Sequence, residues 1–228
     1  MLKFLFLDLD DTILDFHKAE YIAIGKTLDS FGLTPTEEVR SRYSVINKAH
    51  WERLERKELT REEVLVGRFA ALFSEYGIAA DPVQCARRYE DFLSIGHYFL
   101  PGAEETLEVL SKKYRLFLAS NGTAKVQAGR LKSANISRYF ERIFVSQEIG
   151  ANKPSPEYFS RCFAQIEDFD PKQAMMVGDS LTSDILGGKN AGILTCWVNP
   201  QHRQPAPEIT PDYEIEYFHQ LPKLLETL

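Results

Sequence analysis

The sequence predicts an α/β protein in which a doubly wound parallel sheet carries a smaller all-helical domain inserted after the first strand. The first observation is the uninterrupted apolar run Phe4–Leu7, which is followed at once by acids. Such a run is typical of a strand buried on both faces inside a parallel sheet. The second observation is that apolar strands and helical stretches alternate from residue 97 onwards. This βαβ order is typical of parallel sheets with right-handed crossovers.

Length, charge and cysteine content limit the class of protein. The chain has 228 residues, 44% of them hydrophobic, which is enough for a large core or for a core and a smaller domain. The net charge of −6 and the lack of a lysine or arginine cluster argue against a nucleic-acid polymer as partner. The first apolar run is too short for a signal peptide or a membrane span. Three widely separated cysteines fit reduced, buried thiols in a cytoplasmic protein, and both a monomer and a dimer agree with the sequence.

Residues 16–96 predict the inserted helical domain, and residues 1–15 and 97–228 predict the core domain. The inserted segment shows no convincing strand pattern. Thr60 and Glu63 form a capping box, which marks a helix start. An insertion of this size usually covers an active site or determines its specificity. We therefore expect these helices to act as a cap.

Turn residues and changes of hydrophobic period divide the core segment into elements. The pattern predicts strands over Arg115–Ser120, Ile143–Ser146, Ala174–Val177 and Leu194–Val198, and an edge strand over Tyr213–Glu216. It predicts helices from Pro101 to about Lys113 and over about Ala124–Ala134, and a loop that leads into a helix with Pro156 in its first turn. A further helix ends near Gly192, and a last short helix follows the edge strand. Up to Val198, a helical stretch separates each strand from the next, as crossover connections require.

Polar residues lie where the predicted strands end. They are Asp8 and Asp10, Ser120 and Asn121, and Asp179, with Lys153 in a loop that follows a further strand. Because the carboxyl ends of parallel strands form the ligand crevice, we expect these side chains to face one site. If the extended backbone continues past Leu7, Asp8 and Asp10 point the same way, about 6.6 Å apart. A cation would offset their repulsion, whereas the simpler alternative is a solvated acidic turn.

This set of side chains suits the transfer of a phosphoryl group. That reaction needs a nucleophile, a divalent cation and donors to the remaining oxygens. Several carboxylates form the hard oxygen site that Mg²⁺ prefers, and Lys153 and Ser120 can donate to phosphate. Taken singly, Lys153 can be a surface lysine and Ser120 a helix cap, and Asp179 and Asp184 can be turn or cap residues. Their joint occurrence at these separations favours phosphoryl transfer.

The same residues resemble the four sequence motifs of the haloacid dehalogenase superfamily. The matching residues are, in order, Asp8–Thr12, Ser120 at a strand end, Lys153 before Pro154, and Gly178–Ser180 with Asp184. Their order and spacing match along essentially the whole chain. The helical insertion resembles the helical type of cap in that superfamily. The resemblance therefore implies a Rossmann-like core domain with a helical cap domain.

The resemblance also implies a role for each matching residue. Asp8 would be the nucleophile that forms an aspartyl-phosphate, and Asp10 would be the general acid and then the general base. The residues that would hold the phosphoryl oxygens are Ser120, Asn121 and Lys153. The ligands of one Mg²⁺ would be Asp8, Asp179 and the backbone carbonyl of Asp10. Asp184 would act through water or by orienting its neighbours.

The resemblance places the substrate among small phosphorylated metabolites. Asp10 argues against a dehalogenase, because a halide leaving group needs no proton. The expected function is an Mg²⁺-dependent phosphomonoester hydrolase, in particular a 5′-nucleotidase for pyrimidine nucleoside monophosphates. One alternative is a phosphatase or phosphomutase for a sugar phosphate or another small metabolite. The other is a non-enzymatic binding protein that responds to phosphorylation.

The nucleotidase expectation rests on the resemblance of two segments, one in the cap and a tail segment that runs from Asp184 to Arg203. The segment Tyr43–Glu52, followed by Arg68, resembles the cap of bacterial pyrimidine 5′-nucleotidases. Tyr43, Asn47 and Trp51 are spaced i, i+4, i+8 and share a helix face, from which they could stack on a base and hydrogen-bond to its edge. The alternative is that Tyr43 and Trp51 pack the core of the cap.

Overall fold

The computed structural model describes residues 2–228, and its centre is a six-stranded sheet. The strands are β1 (Phe4–Leu7), β2 (Arg115–Ser120), β3 (Arg142–Val145), β4 (Ala174–Gly178), β5 (Leu194–Val198) and β6 (Tyr213–Ile215). Their order in the sheet is β3-β2-β1-β4-β5-β6, and all neighbours are parallel. The predicted parallel sheet is confirmed, with β1 in its interior and the last strand at its edge.

The α-helices form a block of four and a set that covers the sheet. In chain order they are α1 (Phe16–Ser30), α2 (Glu37–Glu55), α3 (Arg61–Tyr76), α4 (Pro82–Leu93), α5 (Ala103–Ser111), α6 (Ala124–Ala134), α7 (Ser146–Ile149), α8 (Pro156–Phe163), α9 (Leu186–Asn190) and α10 (Leu221–Leu225). Within residues 16–93, helices α1 to α4 follow one another without a strand, as the sequence predicts. Among residues 2–228, no helix combines the length and the hydropathy that a bilayer span needs.

Side chains of β1 alternate between two apolar layers, one on each face of the sheet. Leu5 and Leu7 belong to a cluster formed with α5, α6 and α10. Phe4 and Phe6 belong to a second cluster, which α8 completes. All four side chains are at most 2% exposed. Because both faces are covered, the sheet is doubly wound and β1 can be apolar at every position.

The α1–α4 block has an apolar core of its own. Its fully buried members include Ile24, Leu28, Tyr43, Phe69, Leu72 and Tyr89. The predicted capping box is present, because Thr60 accepts from the Glu63 backbone and Glu63 reaches back to the Thr60 backbone. Gly77 ends α3 in the left-handed conformation, with φ of 63°. Cys85 lies in this core, and all three cysteines are buried free thiols, as predicted.

Two backbone connections join the block to the sheet, and they lie side by side. One leads from β1 into α1, and the other leads from α4 to α5. Asp15 N donates to Tyr98 O at 2.7 Å, and Leu100 N donates to Ile13 O at 3.0 Å. This pairing places the block beside the carboxyl end of β1.

Two local features differ from the predicted pattern. Helix α7 begins at Ser146, where we expected the strand to continue. After β4, a π-helical turn over Leu181–Ile185 precedes α9. In this turn the Asp184 carboxylate folds back and accepts a hydrogen bond from Ser180 N at 3.1 Å. A Cβ on Gly178 would lie 2.2 Å from Asp184 Oδ2, so the carboxylate needs glycine at that position.

Candidate active site

Lys153 occupies the centre of the site and is 1% exposed. Its Nζ donates to Asp8 Oδ1 at 2.7 Å, to Asp184 Oδ1 at 2.5 Å and to Ala119 O at 2.6 Å. An ammonium group has three donors, so all of them are used. These partners follow β1, follow β4 and belong to β2, and only the parallel sheet brings them together.

Asp179 joins Asp8 and Asp184 in a cluster of three carboxylates. Each offers an oxygen, and these oxygens lie within 4.8 Å of one another. Burial raises the pKa of Asp8 to about 8, against the charge of Lys153, and the nearby Asp184 and Asp10 raise it further. Burial, followed by the charges of Asp184 and Asp8, raises the pKa of Asp179 well above its ordinary value. One lysine therefore does not neutralise the cluster.

The donor set of this cluster fits Mg²⁺. Carboxylate oxygens are hard ligands, and a divalent cation would offset the repulsion that raises these pKa values. The cluster contains Asp184 rather than the side chain of Asp10. Asp184 therefore lies among the carboxylates themselves, whereas the sequence placed it behind them.

Asn121 positions the loop that carries Lys153. Its Oδ1 accepts from Lys153 N at 2.9 Å, and its Nδ2 donates to Lys153 O at 3.0 Å. Ser120, at the end of β2, is 1% exposed, and its Oγ accepts from Gly122 N at 3.1 Å. Ser120, Asn121 and Lys153 all line the cavity, and the amide of Asn121 is hydrogen-bonded to the Lys153 backbone.

The Asp10 carboxylate contacts two side chains of α6. Gln127 Nε2 donates to Asp10 Oδ2 at 2.7 Å, and Arg130 Nη1 forms an ion pair with Asp10 Oδ1. Our sequence reasoning missed both residues. Their spacing of three positions could have indicated them, because it places Gln127 and Arg130 on one face of the helix that follows the Ser120 loop.

A cavity of about 210 Å³ lies between the strand ends and the helical block. The carboxylates, Ser120 and Lys153 line its base. Its apolar wall consists of Phe16, Trp51, Leu65, Leu93 and Val126. Glu55, Arg68 and Glu90 add charged groups from the helical block. The cavity thus combines an acidic base, an apolar side and a few polar groups, as small-ligand sites do.

Of the three cap residues predicted to share a helix face, only Trp51 lines the cavity. Tyr43 is fully buried inside the helical block, with its ring centroid 5.1 Å from Phe69 and 5.3 Å from Tyr89. Asn47 is also buried there, where it donates to Glu20 Oε1 at 2.6 Å. For Tyr43, the structure agrees with the alternative that it packs the cap core.

Arg61 and Glu55 are among the side chains of the helical block that contact the core. Arg61 donates to Asn121 O at 2.9 Å, to Gly122 O at 3.1 Å, to Ser146 Oγ at 2.6 Å and to Asn152 Oδ1 at 2.7 Å. Its guanidinium also lies 5.6 Å from the centroid of Trp51. Glu55 Oε2 accepts from Thr182 Oγ1 at 2.9 Å. Sequence reasoning found neither contact, because charged residues on helices are common and their partners are distant in the chain.

Comparison with known proteins agrees with this fold. YfnB, a HAD-hydrolase of Bacillus subtilis, is 38% identical over 221 residues, which cover 97% of this chain and 94% of YfnB. The crystal structure of YfnB bound to magnesium superposes with a TM-score of 0.94 and covers 98% of both chains. Thus the whole fold, including the helical block, has a close counterpart.

Two further relatives are similar along nearly the full length. The pyrimidine 5′-nucleotidase PynA of Streptococcus pneumoniae is 36% identical over 96% of this chain and 93% of its own. The pyrimidine 5′-nucleotidase YjjG of Escherichia coli is 28% identical over 97% of this chain and 96% of its own. The model of the haloacid dehalogenase-like hydrolase family matches residues 5–198. The resemblance to this family is therefore confirmed, and this chain is a hydrolase that belongs to the haloacid dehalogenase-like family.

Proposed function

We propose that this protein is an Mg²⁺-dependent phosphomonoester hydrolase that cleaves nucleoside 5′-monophosphates, with pyrimidine nucleotides as the preferred class. The observation that carries the proposal is the contact of the Lys153 ammonium with Asp8 and Asp184, at 2.7 and 2.5 Å, at the base of the cavity. Asp10 lies in the same cavity with separate partners. A nucleophile, a group for phosphoryl oxygens and a distinct acid are what phosphoryl transfer requires.

In the first step, an Asp8 oxygen bonds to phosphorus while the bond from phosphorus to the ester oxygen breaks. Asp10 gives its proton to that ester oxygen, and the alcohol leaves. In the second step, Asp10 takes a proton from water as the water oxygen bonds to phosphorus. The bond between Asp8 and phosphorus then breaks, and phosphate leaves. Lys153 and Ser120 hold the phosphoryl oxygens throughout.

The residues that would hold Mg²⁺ are Asp8, Asp179 and the backbone carbonyl of Asp10, with Asp184 beside them. Bound there, the ion supplies positive charge for the phosphoryl oxygens. This assignment is supported by the carboxylate oxygens that lie within 4.8 Å of one another. It is further supported by the magnesium in the structure of YfnB.

We further propose that residues 16–96 are a cap domain and that residues 1–15 and 97–228 are the core domain. The separate apolar core of α1–α4 supports this division. The wall that the helical block adds to the cavity supports the role of a cap. In YfnB, the magnesium-bound structure reveals interdomain movement.

The nucleotide class is supported by PynA and YjjG, which are pyrimidine 5′-nucleotidases similar to this chain over more than nine-tenths of their length. It is also supported by Trp51, whose ring lines the cavity and offers a surface on which a base can stack. Tyr43 and Asn47 are not proposed as base contacts, because both are buried in the helical block.

The test is phosphate release from purified protein with Mg²⁺ across nucleoside monophosphates, sugar phosphates and p-nitrophenyl phosphate. We expect phosphate release from p-nitrophenyl phosphate and from nucleoside monophosphates, with the highest kcat/KM for pyrimidine nucleoside 5′-monophosphates. Asp8→Asn should abolish turnover, whereas Asp29→Asn, at an exposed position of α1, should preserve it. Full activity of Asp8→Asn would refute the mechanism. A preference for sugar phosphates would refute the nucleotide class alone.

A further inference from the structure

We infer that Gln127 and Arg130 are positioning residues that hold the Asp10 carboxylate where it exchanges a proton with the leaving alcohol and with water. The inference rests on the proposed function, because it concerns the acid of that reaction. It assigns a task to two residues of α6, the helix that follows the Ser120 loop. Neither residue is proposed to touch the phosphoryl group.

Each oxygen of Asp10 has a donor of its own. Gln127 Nε2 donates to Oδ2 at 2.7 Å and also to Ser120 Oγ at 2.7 Å. Arg130 Nη1 pairs with Oδ1. Two donors from one helix determine both the place and the rotation of a carboxylate. Through Gln127, Asp10 is also tied to Ser120, which lies at the phosphoryl end of the cavity.

The two donors are themselves held in place. Gln127 is 1% exposed, and a Cβ on Gly122 would lie 2.4 Å from its Nε2, so the glycine makes room for the amide. Arg130 is fully buried, and its Nε donates to Gly96 O at 2.9 Å. Gly96 belongs to the second connection between the helical block and the sheet. Both side chains are therefore restrained by burial and by a contact other than Asp10, as a positioning group needs.

Lys153 does not hold the Asp10 carboxylate, and the carboxylate of the neighbouring Asp11 has other partners than α6. The donors of Lys153 are used by Asp8, Asp184 and Ala119 O. Asp11 Oδ1 accepts from Phe16 N at 2.9 Å, so this carboxylate serves the start of α1. Among the acids Asp8, Asp10 and Asp11, Asp10 is therefore the one whose carboxylate is bound by side chains of α6.

The test compares two esters of the same shape with different leaving groups, p-nitrophenyl phosphate and phenyl phosphate. Phenol is the weaker acid, so its departure depends more on a proton from Asp10. The parameter is kcat/KM, which reports the steps up to the loss of the phenol. We expect Gln127→Leu and Arg130→Met to lower kcat/KM for phenyl phosphate about 10-fold more than for p-nitrophenyl phosphate. Gln84→Leu, at an exposed position of α4, is the matched control and should leave the ratio unchanged.

A double mutant separates positioning from a general structural effect. In an Asp10→Asn background the acid is absent, so Gln127→Leu should produce no further change in the ratio of the two kcat/KM values. If Arg130→Met does not fold, the Gln127→Leu variant decides the question. Equal losses for both esters would overturn the inference. If the unaltered protein releases phosphate from neither ester, the proposed function fails as well, which is a distinct result.

Discussion

Lys153 and Asp8 are 145 positions apart in the chain, yet Lys153 Nζ lies 2.7 Å from Asp8 Oδ1. The Lys153 side chain is 1% exposed and the Asp8 side chain 10% exposed. Although burial lowers the pKa of Lys153, the charges of Asp184 and Asp8 outweigh it and raise the pKa above its ordinary value. The lysine therefore stays charged, and the carboxylates around it depend on that charge.

Lys153→Met should destabilise the protein by about 3 kcal/mol, because it leaves buried carboxylates without a cation. The measurement is urea unfolding in the presence of EDTA. Lys125→Met is the matched control, since Lys125 pairs with Asp91 at 2.5 Å on the surface, with side chains 60% and 49% exposed. That variant should change the free energy of unfolding by no more than about 0.5 kcal/mol. Equal effects of the two substitutions would show that the buried pair has no special role.

The stability of the metal-free protein should fall as pH rises from about 4 to about 8. The pKa of Asp8 is raised from 3.8 to about 8, so the folded state binds a proton in this window that the unfolded state has lost. Mg²⁺ needs the ionised carboxylates, so its stabilising effect should grow with pH. The measurement is the melting temperature with EDTA and with Mg²⁺ at several pH values. Asp179→Asn should abolish the rise in melting temperature that Mg²⁺ causes, whereas Asp29→Asn should keep it. If that rise does not depend on pH, the assignment of these carboxylates as Mg²⁺ ligands is wrong.

Arg61→Ala should loosen the helical block from the core, because it removes four hydrogen bonds to two core loops and to the first residue of α7. We expect faster amide hydrogen exchange at residues 121–123 and 152–153 and a kcat/KM lowered about 10-fold. Arg53→Ala is the control, since Arg53 pairs with Glu58 on the exposed side of the block, at 3.3 Å. Unchanged exchange in the loops would mean that Arg61 does not hold the two parts together.

Glu55 should make the closed arrangement of the helical block pH-dependent. Burial raises the pKa of Glu55 from 4.5 to about 7, although the hydrogen bond from Thr182 opposes the shift. If opening of the block exposes Glu55, closure takes up a proton between pH 4.5 and about 7. The closed form therefore becomes less stable relative to the open form as pH rises through about 7. The measurement is the KM for a nucleoside monophosphate between pH 5.5 and 8. Glu55→Gln should flatten this profile, whereas the exposed Glu52→Gln should leave it as it is.

Trp51→Ala should raise the KM for nucleoside monophosphates about 10-fold, since a stacking surface contributes roughly 1–3 kcal/mol per base. Inhibition by inorganic phosphate should be unaffected, because Trp51 lies in the apolar wall of the cavity. Tyr43→Phe serves as the contrast and should leave KM unchanged, since Tyr43 is buried in the helical block. A higher KM in Tyr43→Phe would restore the interpretation that Tyr43 contacts the base.

The sequence predicted the sheet and the acids with little error. The bounds of β2, α6 and β5 agree with the pattern residue by residue. These elements are visible because a doubly covered parallel strand must be apolar throughout, which is a local property. The order of the motifs at the strand ends likewise placed Asp8, Ser120, Lys153 and Asp179 at one edge, since parallel strands share that edge.

Tertiary structure decided which side chains meet across that edge. Gln127 and Arg130 are 117 and 120 positions from Asp10, and no local pattern joins them. The same holds for Arg61, which lies 91 positions from Asn152. Tyr43 and Trp51 share a helix face, yet the packing of α2 within the block buries the first and leaves the second at the cavity. Hydrophobic period determines which face of an element is buried, but only the packing of the elements against one another determines which polar groups come within hydrogen-bond distance.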